Sequence, residues 1–150
     1  MKVFHHVVLS VFAKPEDDAE KVKACLLKLV PFELESEKLE LHDQHAHGFN
    51  QRTIHVFSIT LEKDRHINEF WEAFEAKLSK QQGLQLLQEV ETRLDADLMF
   101  YVRIDKALWE QGIIQLTDSG HCYHLKLSVA AFPHKREIAL GVLTKVFKQP

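Results

Sequence analysis

The chain is poor in cysteine. Its two residues, Cys25 and Cys122, lie far apart and without CxxC spacing. A disulfide framework is therefore not expected, and two packed thiols in a reducing cytoplasm are. Glycine and proline are also scarce, at five and four residues, and no repeat, linker or biased tract interrupts the sequence. That excludes collagenous, low-complexity and disordered classes and predicts one domain over residues 1–150. No segment approaches the roughly 18 consecutive apolar residues of a membrane helix. The apolar stretch from Met1 to Phe12 is short, lacks a small-residue cleavage site and runs directly into acidic residues. It reads as a first strand and not a signal peptide. The GxSxG, HExxH, P-loop and GxGxxG motifs are all missing, so no catalysis and no cofactor are expected.

What is present suits a globular chain: 45% hydrophobic and 27% charged residues in 17.4 kDa. A chain of this size buries roughly 68–70% of its unfolded surface. Val3 to Phe12 is β-branched and aromatic, which predicts a strand. Pro15 and the acidic run Glu16, Asp17 and Asp18 mark a helix start; Ala19, Val22, Leu26 and Leu29 give its periodicity, and Pro31 its end. Leu39 and Leu41 alternate with charged residues, predicting a strand, followed by a His-rich loop over 43–52 and a strand from Thr53 to Leu61. Ile67, Phe70, Trp71, Phe74 and Leu78 form one helical stripe. Gly83 is expected to break that helix before a second one bearing Leu84, Leu87 and Val90. Leu98, Phe100, Val102 and Ile104 predict a strand, and residues 105–112 a turn. A hairpin is expected between Ile113–Thr117 and His121–Ala131 through Asp118, Ser119 and Gly120. A last helix after Pro133 turns Ala139, Val142, Leu143 and Val146 inward. Strand pairs adjacent in sequence predict an α+β fold, with a largely antiparallel sheet and helices on one face.

Charge is unevenly placed. The formal total is −3, but residues 1–75 carry −5, residues 76–150 carry +2, and the last thirty alone carry +4. Local basic surface, and not net charge, is what phosphate backbones require. Lys135 and Arg136 open the last helix, where cations oppose the helix dipole. His124 and Lys126 share one strand face, and Tyr101 and Arg103 share the polar face of another. The ten histidines include two clusters, His42, His45 and His47, and His121, Cys122 and His124. The first has no recognised metal-ligand spacing, in the second only Cys122 and His124 would share a strand face, and no metal site is assigned to them.

The carboxyl-terminal half resembles a known family. Thr92 to Leu116 followed by His124 to Leu140 is similar to the small archaeal exosome-associated RNA-binding proteins, whose fold is like that of the ribosomal protein that contacts five-S RNA. The shared pattern falls on Arg103, Asp105 and Lys106, on Gly112, on Lys126, and on Phe132, Pro133, Lys135, Arg136 and Glu137. His47-Gly48-Phe49-Asn50 is similar to the family's His-Gly-Asn-Pro loop, with Phe49 inserted and Gln51 in the place of proline. The resemblance implies a ribosomal-protein-like single domain. It implies a cytoplasmic, non-catalytic RNA-binding role in RNA processing or degradation, with exosome or ribosome components as further partners and no membrane contact.

On this reading Arg103, Lys106, Lys126, Lys135 and Arg136 contact phosphate, Tyr101 offers a stacking surface, and Asn50 and Arg52 add a second contact. Two other readings remain. One is a protein-interaction module docking onto a larger assembly through its acidic half, with Asp17 and Asp18 prominent. The other is a metal-dependent hydrolase built on the histidine clusters.

Overall fold

The computed structural model describes residues 2–47 and 53–148. Strands β1 (Phe4–Ala13), β2 (His42–His47), β3 (Thr53–Leu61), β4 (Met99–Asp105) and β5 (Cys122–Val129) form one sheet in the order β2-β3-β1-β5-β4. Helices α1 (Ala19–Leu27), α2 (Asp64–Lys77), α3 (Lys80–Gln88), α4 (Val90–Arg93), α5 (Lys106–Trp109) and α6 (Arg136–Lys148) complete an α+β fold with an open antiparallel sheet. The period of two explains the strands. Val7, Leu9, Val11 and Ala13 of β1 are buried, as are Phe100, Val102 and Ile104 of β4 and Tyr123, Leu125, Leu127 and Val129 of β5. Most of their alternate neighbours, Cys122 and Ser128 excepted, stay at least partly exposed, so one side of each strand chiefly feeds the core and the other meets water.

Two compact units divide the chain. The first comprises residues 1–7, 61–102 and 125–150. Its core is aromatic: Trp71 packs edge-on against Phe4 at 5.0 Å and against Phe147 at 6.0 Å, and Phe147 meets Phe100 at 5.8 Å. Helices α3 and α4 pack on α6. The second comprises residues 8–60 and 103–124. There Val22, Cys25 and Leu26 of α1 are buried. Trp109 Nε1 donates to the Cys25 carbonyl at 2.9 Å, and the Tyr123 hydroxyl donates to Glu110 at 2.8 Å. Both cysteines are buried free thiols, as two packed thiols should be.

Several boundaries differ from the sequence expectation. Leu39 and Leu41 are not in a strand. The strand is instead the polar His42–His47, which pairs antiparallel with β3, His45 opposite His55. Backbone pairing at a sheet edge needs no apolar alternation, so periodicity could not find it. Gly83 lies inside α3; the interruption falls at Leu78, whose ψ of 138° ends α2, and Ser79 restarts the helix. The Ser79 hydroxyl accepts from the Gln82 amide while the Gln82 side chain accepts from the Ser79 amide. This capping box offsets the cost of one mid-helix glycine. Residues 106–109 are helix α5 and not turn, capped by Asp105, whose carboxylate accepts from the Leu108 amide at 2.9 Å. The expected hairpin strand at 113–117 does not pair with β5. That segment runs beside β4, where the Asp105 amide donates to Gln115 and the Thr117 amide to Arg103.

Candidate nucleic-acid interface

Within the first unit, β5 carries Lys126, half-buried on its outward side, and past the strand's end come Phe132, His134 and Lys135, all exposed. Phe132 is 84% exposed. A phenylalanine left in water forgoes about 1.5–3 kcal/mol of burial. His134 lies close enough to His5 to oppose that imidazole's protonation. Burial, together with Lys2 and His6, holds His5 below the ordinary histidine range, against Asp64. His5 Nε2 is 2.6 Å from the Ser128 hydroxyl, which accounts for the one buried polar side chain of β5.

Tyr101 is half-buried on β4. Its hydroxyl donates to Asp95 at 2.8 Å, and burial together with that carboxylate pushes the phenol pKa up. Asp95 also accepts from the amides of Asp97 and Met99. These bonds and the charge of Lys126 outweigh burial, and the Asp95 carboxyl lies below its usual range. The structure thus brings Tyr101 and Lys126 to one neighbourhood, centred on Asp95.

Arg136 has an internal task. Its guanidinium donates to the carbonyls of Leu94 at 2.9 Å and Glu91 at 2.6 Å. These are carbonyls at the end of α4, where a cation complements the dipole. The apparent misplacement of a cation at the start of α6 is thereby resolved: Arg136 caps another helix. Arg136→Ala is expected to cost about 1–2 kcal/mol by chemical denaturation, and Arg136→Lys to recover only part of it, because lysine lacks the fork that reaches both carbonyls.

The second unit holds Arg103 and Lys106. Asn50 and Arg52, with Gly48 and Phe49, lie outside the described residues. Arg103 is exposed on β4, and Nη1 donates to the Asp118 carbonyl at 3.1 Å. Lys106 is a correction. It is only 3% exposed, and its Nζ donates to Asp17 at 2.7 Å and to the Phe12 carbonyl at 3.0 Å. Its charge is neutralised inside the fold, so it is not a phosphate contact. Asp17 is likewise committed: burial alone would raise its carboxyl, but Lys106 and the Lys14 amide hold it below the usual range. Asp18 caps α1, accepting from Lys21. The two acids that the sequence suggested for docking serve the fold.

The sequence expectation did not include Phe12. It is 57% exposed and, with Lys14, Ile54, Gly120, His121 and Cys122, lines a cavity of about 150 Å³ over Lys106. Arg103 acts electrostatically on Cys122, whose thiol burial pushes up. The signal was parity: Val7, Leu9 and Val11 point inward, so Phe12 must point outward. The second unit therefore also sets an aromatic among cations. His121, Cys122 and His124 do not converge as a metal-ligand group among the described residues; Asp43, His45 and His55 do. Among the described residues, no helix is long and apolar enough to cross a membrane.

Aromatic rings held in solvent beside lysine, arginine and histidine are the elements with which proteins hold nucleic-acid strands, stacking on bases and pairing with phosphates. A family model described as RNA binding matches residues 6–129, and the chain belongs to this RNA-binding family. It is 28% identical over 133 residues to RNA-binding protein PAB1135 of Pyrococcus abyssi, covering 89% of this chain and 86% of that one. Among solved structures, protein AF2318 of Archaeoglobus fulgidus is similar with a TM-score of 0.84 and 27% identity, covering 97% of this chain and 99% of that one. Mth689 of Methanothermobacter thermautotrophicus follows at 0.78 and 25%, over 98% and 100%. Both are described as DUF54 proteins.

Proposed function

We propose that the chain is a single RNA-binding domain that grips unpaired RNA and acts, without catalysis of its own, as an accessory factor in RNA processing or degradation beside exosomal or ribosomal components. The observation that carries this reading is the pair of solvent-exposed phenylalanines, Phe12 at 57% and Phe132 at 84%, each accompanied by cations. Stacking on a ring needs a free base face, which single strands offer and duplexes withhold. Lys126 and Lys135 supply phosphate contacts in the first unit, and Lys14, His121 and Arg103 in the second; Asn50 and Arg52 are further contacts by the resemblance in sequence alone. A local basic surface of this kind works on a protein whose net charge is −3, because screening confines the field to about 8–10 Å.

Fluorescence anisotropy with a single-stranded oligoribonucleotide at low salt tests this. Lys126→Glu with Lys135→Glu is expected to weaken binding by at least about tenfold and to reduce the salt slope by roughly 0.7 for each phosphate deprived of its lysine. Arg136 is left intact because it holds α4. Unchanged affinity in the double reversal contradicts the proposed surface.

A further inference from the structure

The hairpin of β2 and β3 gathers a second kind of chemistry. Side chains alternate along a strand, so Asp43 and His45, two residues apart, share a face. His55 stands directly opposite His45 in the antiparallel register and joins them. One ligand atom from each of the three lies within 4.8 Å of the others. His55 Nδ1 is 3.0 Å from Asp43 Oδ1, and His45 Nε2 is 3.8 Å from the same oxygen. The two imidazole centroids are 4.3 Å apart.

We propose that Asp43, His45 and His55 form a binding site for one divalent transition-metal ion of the zinc class. Two imidazole nitrogens and one carboxylate oxygen suit zinc, whereas magnesium and calcium favour all-oxygen shells. With metal–ligand bonds of about 2.0–2.1 Å, the ligand atoms of a tetrahedral site sit about 3.3 Å apart. The observed 3.0 Å and 3.8 Å separations bracket that spacing. The third pair of ligand atoms lies within 4.8 Å, so the cage closes by drawing the side chains together.

Neighbouring groups prepare the ligands. His55 Nδ1 and Asp43 Oδ1 already face each other at 3.0 Å, and a metal ion would take the place of the proton between them. Phe57 stacks on the His55 ring at 5.6 Å and 20°, which limits the ring's rotation. Lys23 of α1 lies over Phe57 at 5.9 Å. Its positive charge keeps the affinity below that of a closed structural zinc site. Three protein ligands leave a coordination position for solvent. Bound metal would tie β2 to β3 on either side of the connection that carries Asn50 and Arg52.

Isothermal titration of the untagged full chain with Zn²⁺, in a buffer that does not chelate metals, tests the site independently of RNA. The expected result is one ion per chain. His55→Ala and Asp43→Asn should each weaken binding at least about tenfold, and His121→Ala should leave it unchanged. Affinity should fall as pH drops and protons compete for the imidazoles. Co²⁺ gives a second reading: its visible absorption on the wild-type chain should be lost in His55→Ala. Asp43 and His45 are exposed and His55 is partly so, so circular dichroism should show all variants folded. Absence of saturable zinc binding, or equal affinity in His55→Ala, overturns the proposal.

Discussion

Asp17→Ala should lower the unfolding free energy by about 3–5 kcal/mol, the cost of leaving a buried charge without its partner. The Lys106 ammonium would keep its bond to the Phe12 carbonyl but lose its counter-ion, in a side chain that is 4% exposed. For a chain of this size the melting temperature should fall by roughly 6–20 °C. Lys106→Met should cost less than Asp17→Ala. It removes the buried charge, fills similar volume, and leaves an Asp17 side chain that is 23% exposed and can hydrate. The two substitutions sit on one ion pair, so the order of their effects separates a buried pair from a surface one, where both would lie near zero. The pair also sets a pH dependence. Asp17 has a folded pKa depressed below its unfolded value, so its contribution is present above the unfolded carboxyl range. It is lost as pH falls through the folded pKa, in the acid region below about pH 4. Thermal melts of wild type and Asp17→Asn should therefore converge on acidification. Lys106→Met should retain wild-type RNA affinity, because its ammonium is committed to the fold.

Phe12→Ala combined with Phe132→Ala is expected to give the largest loss of RNA affinity. Base stacking on an aromatic contributes about 1–3 kcal/mol per base by alanine substitution, so the double variant should bind roughly 30-fold to about 20,000-fold more weakly. Stability should hardly move, since both rings are mostly in water. Each single variant should lose part of the affinity. An affinity loss that tracks a fall in melting temperature would mean that the rings support the fold and not the ligand. Anisotropy and differential scanning calorimetry on the same preparations separate the two.

Much of this fold was legible because its strands obey a period of two and α2 a period near 3.6. Leu98, Phe100, Val102 and Ile104 announce β4, and Ile67, Phe70, Trp71 and Phe74 announce α2. What stayed hidden depends on partners distant in the chain. Nothing local to Lys106 reveals that Asp17, 89 positions earlier, will draw it inward. Nothing local to Arg136 reveals the carbonyls of Glu91 and Leu94. The polar strand His42–His47 is specified by pairing with β3, which is also what brings His55 to Asp43 and His45. Other features were present in the sequence and outweighed by a stronger cue. Ser79 and Gln82 spell a capping box that a nearby glycine obscured, and Phe12 occupied the outward parity of a strand already recognised. Charge segregation pointed to the carboxyl-terminal segment, where Lys126 and Lys135 remain at or near the surface while Lys106 does not.

The central claim is that surface cations and exposed aromatic rings bind unpaired RNA. The measurement that bears on it most directly is the salt dependence of wild-type affinity for a single-stranded oligoribonucleotide. Roughly three to five phosphate contacts predict a straight line of log affinity against log salt, with a slope of roughly −2 to −3.5, and weaker binding of the matching duplex. Undetectable binding at low salt, or a slope near zero, would contradict it.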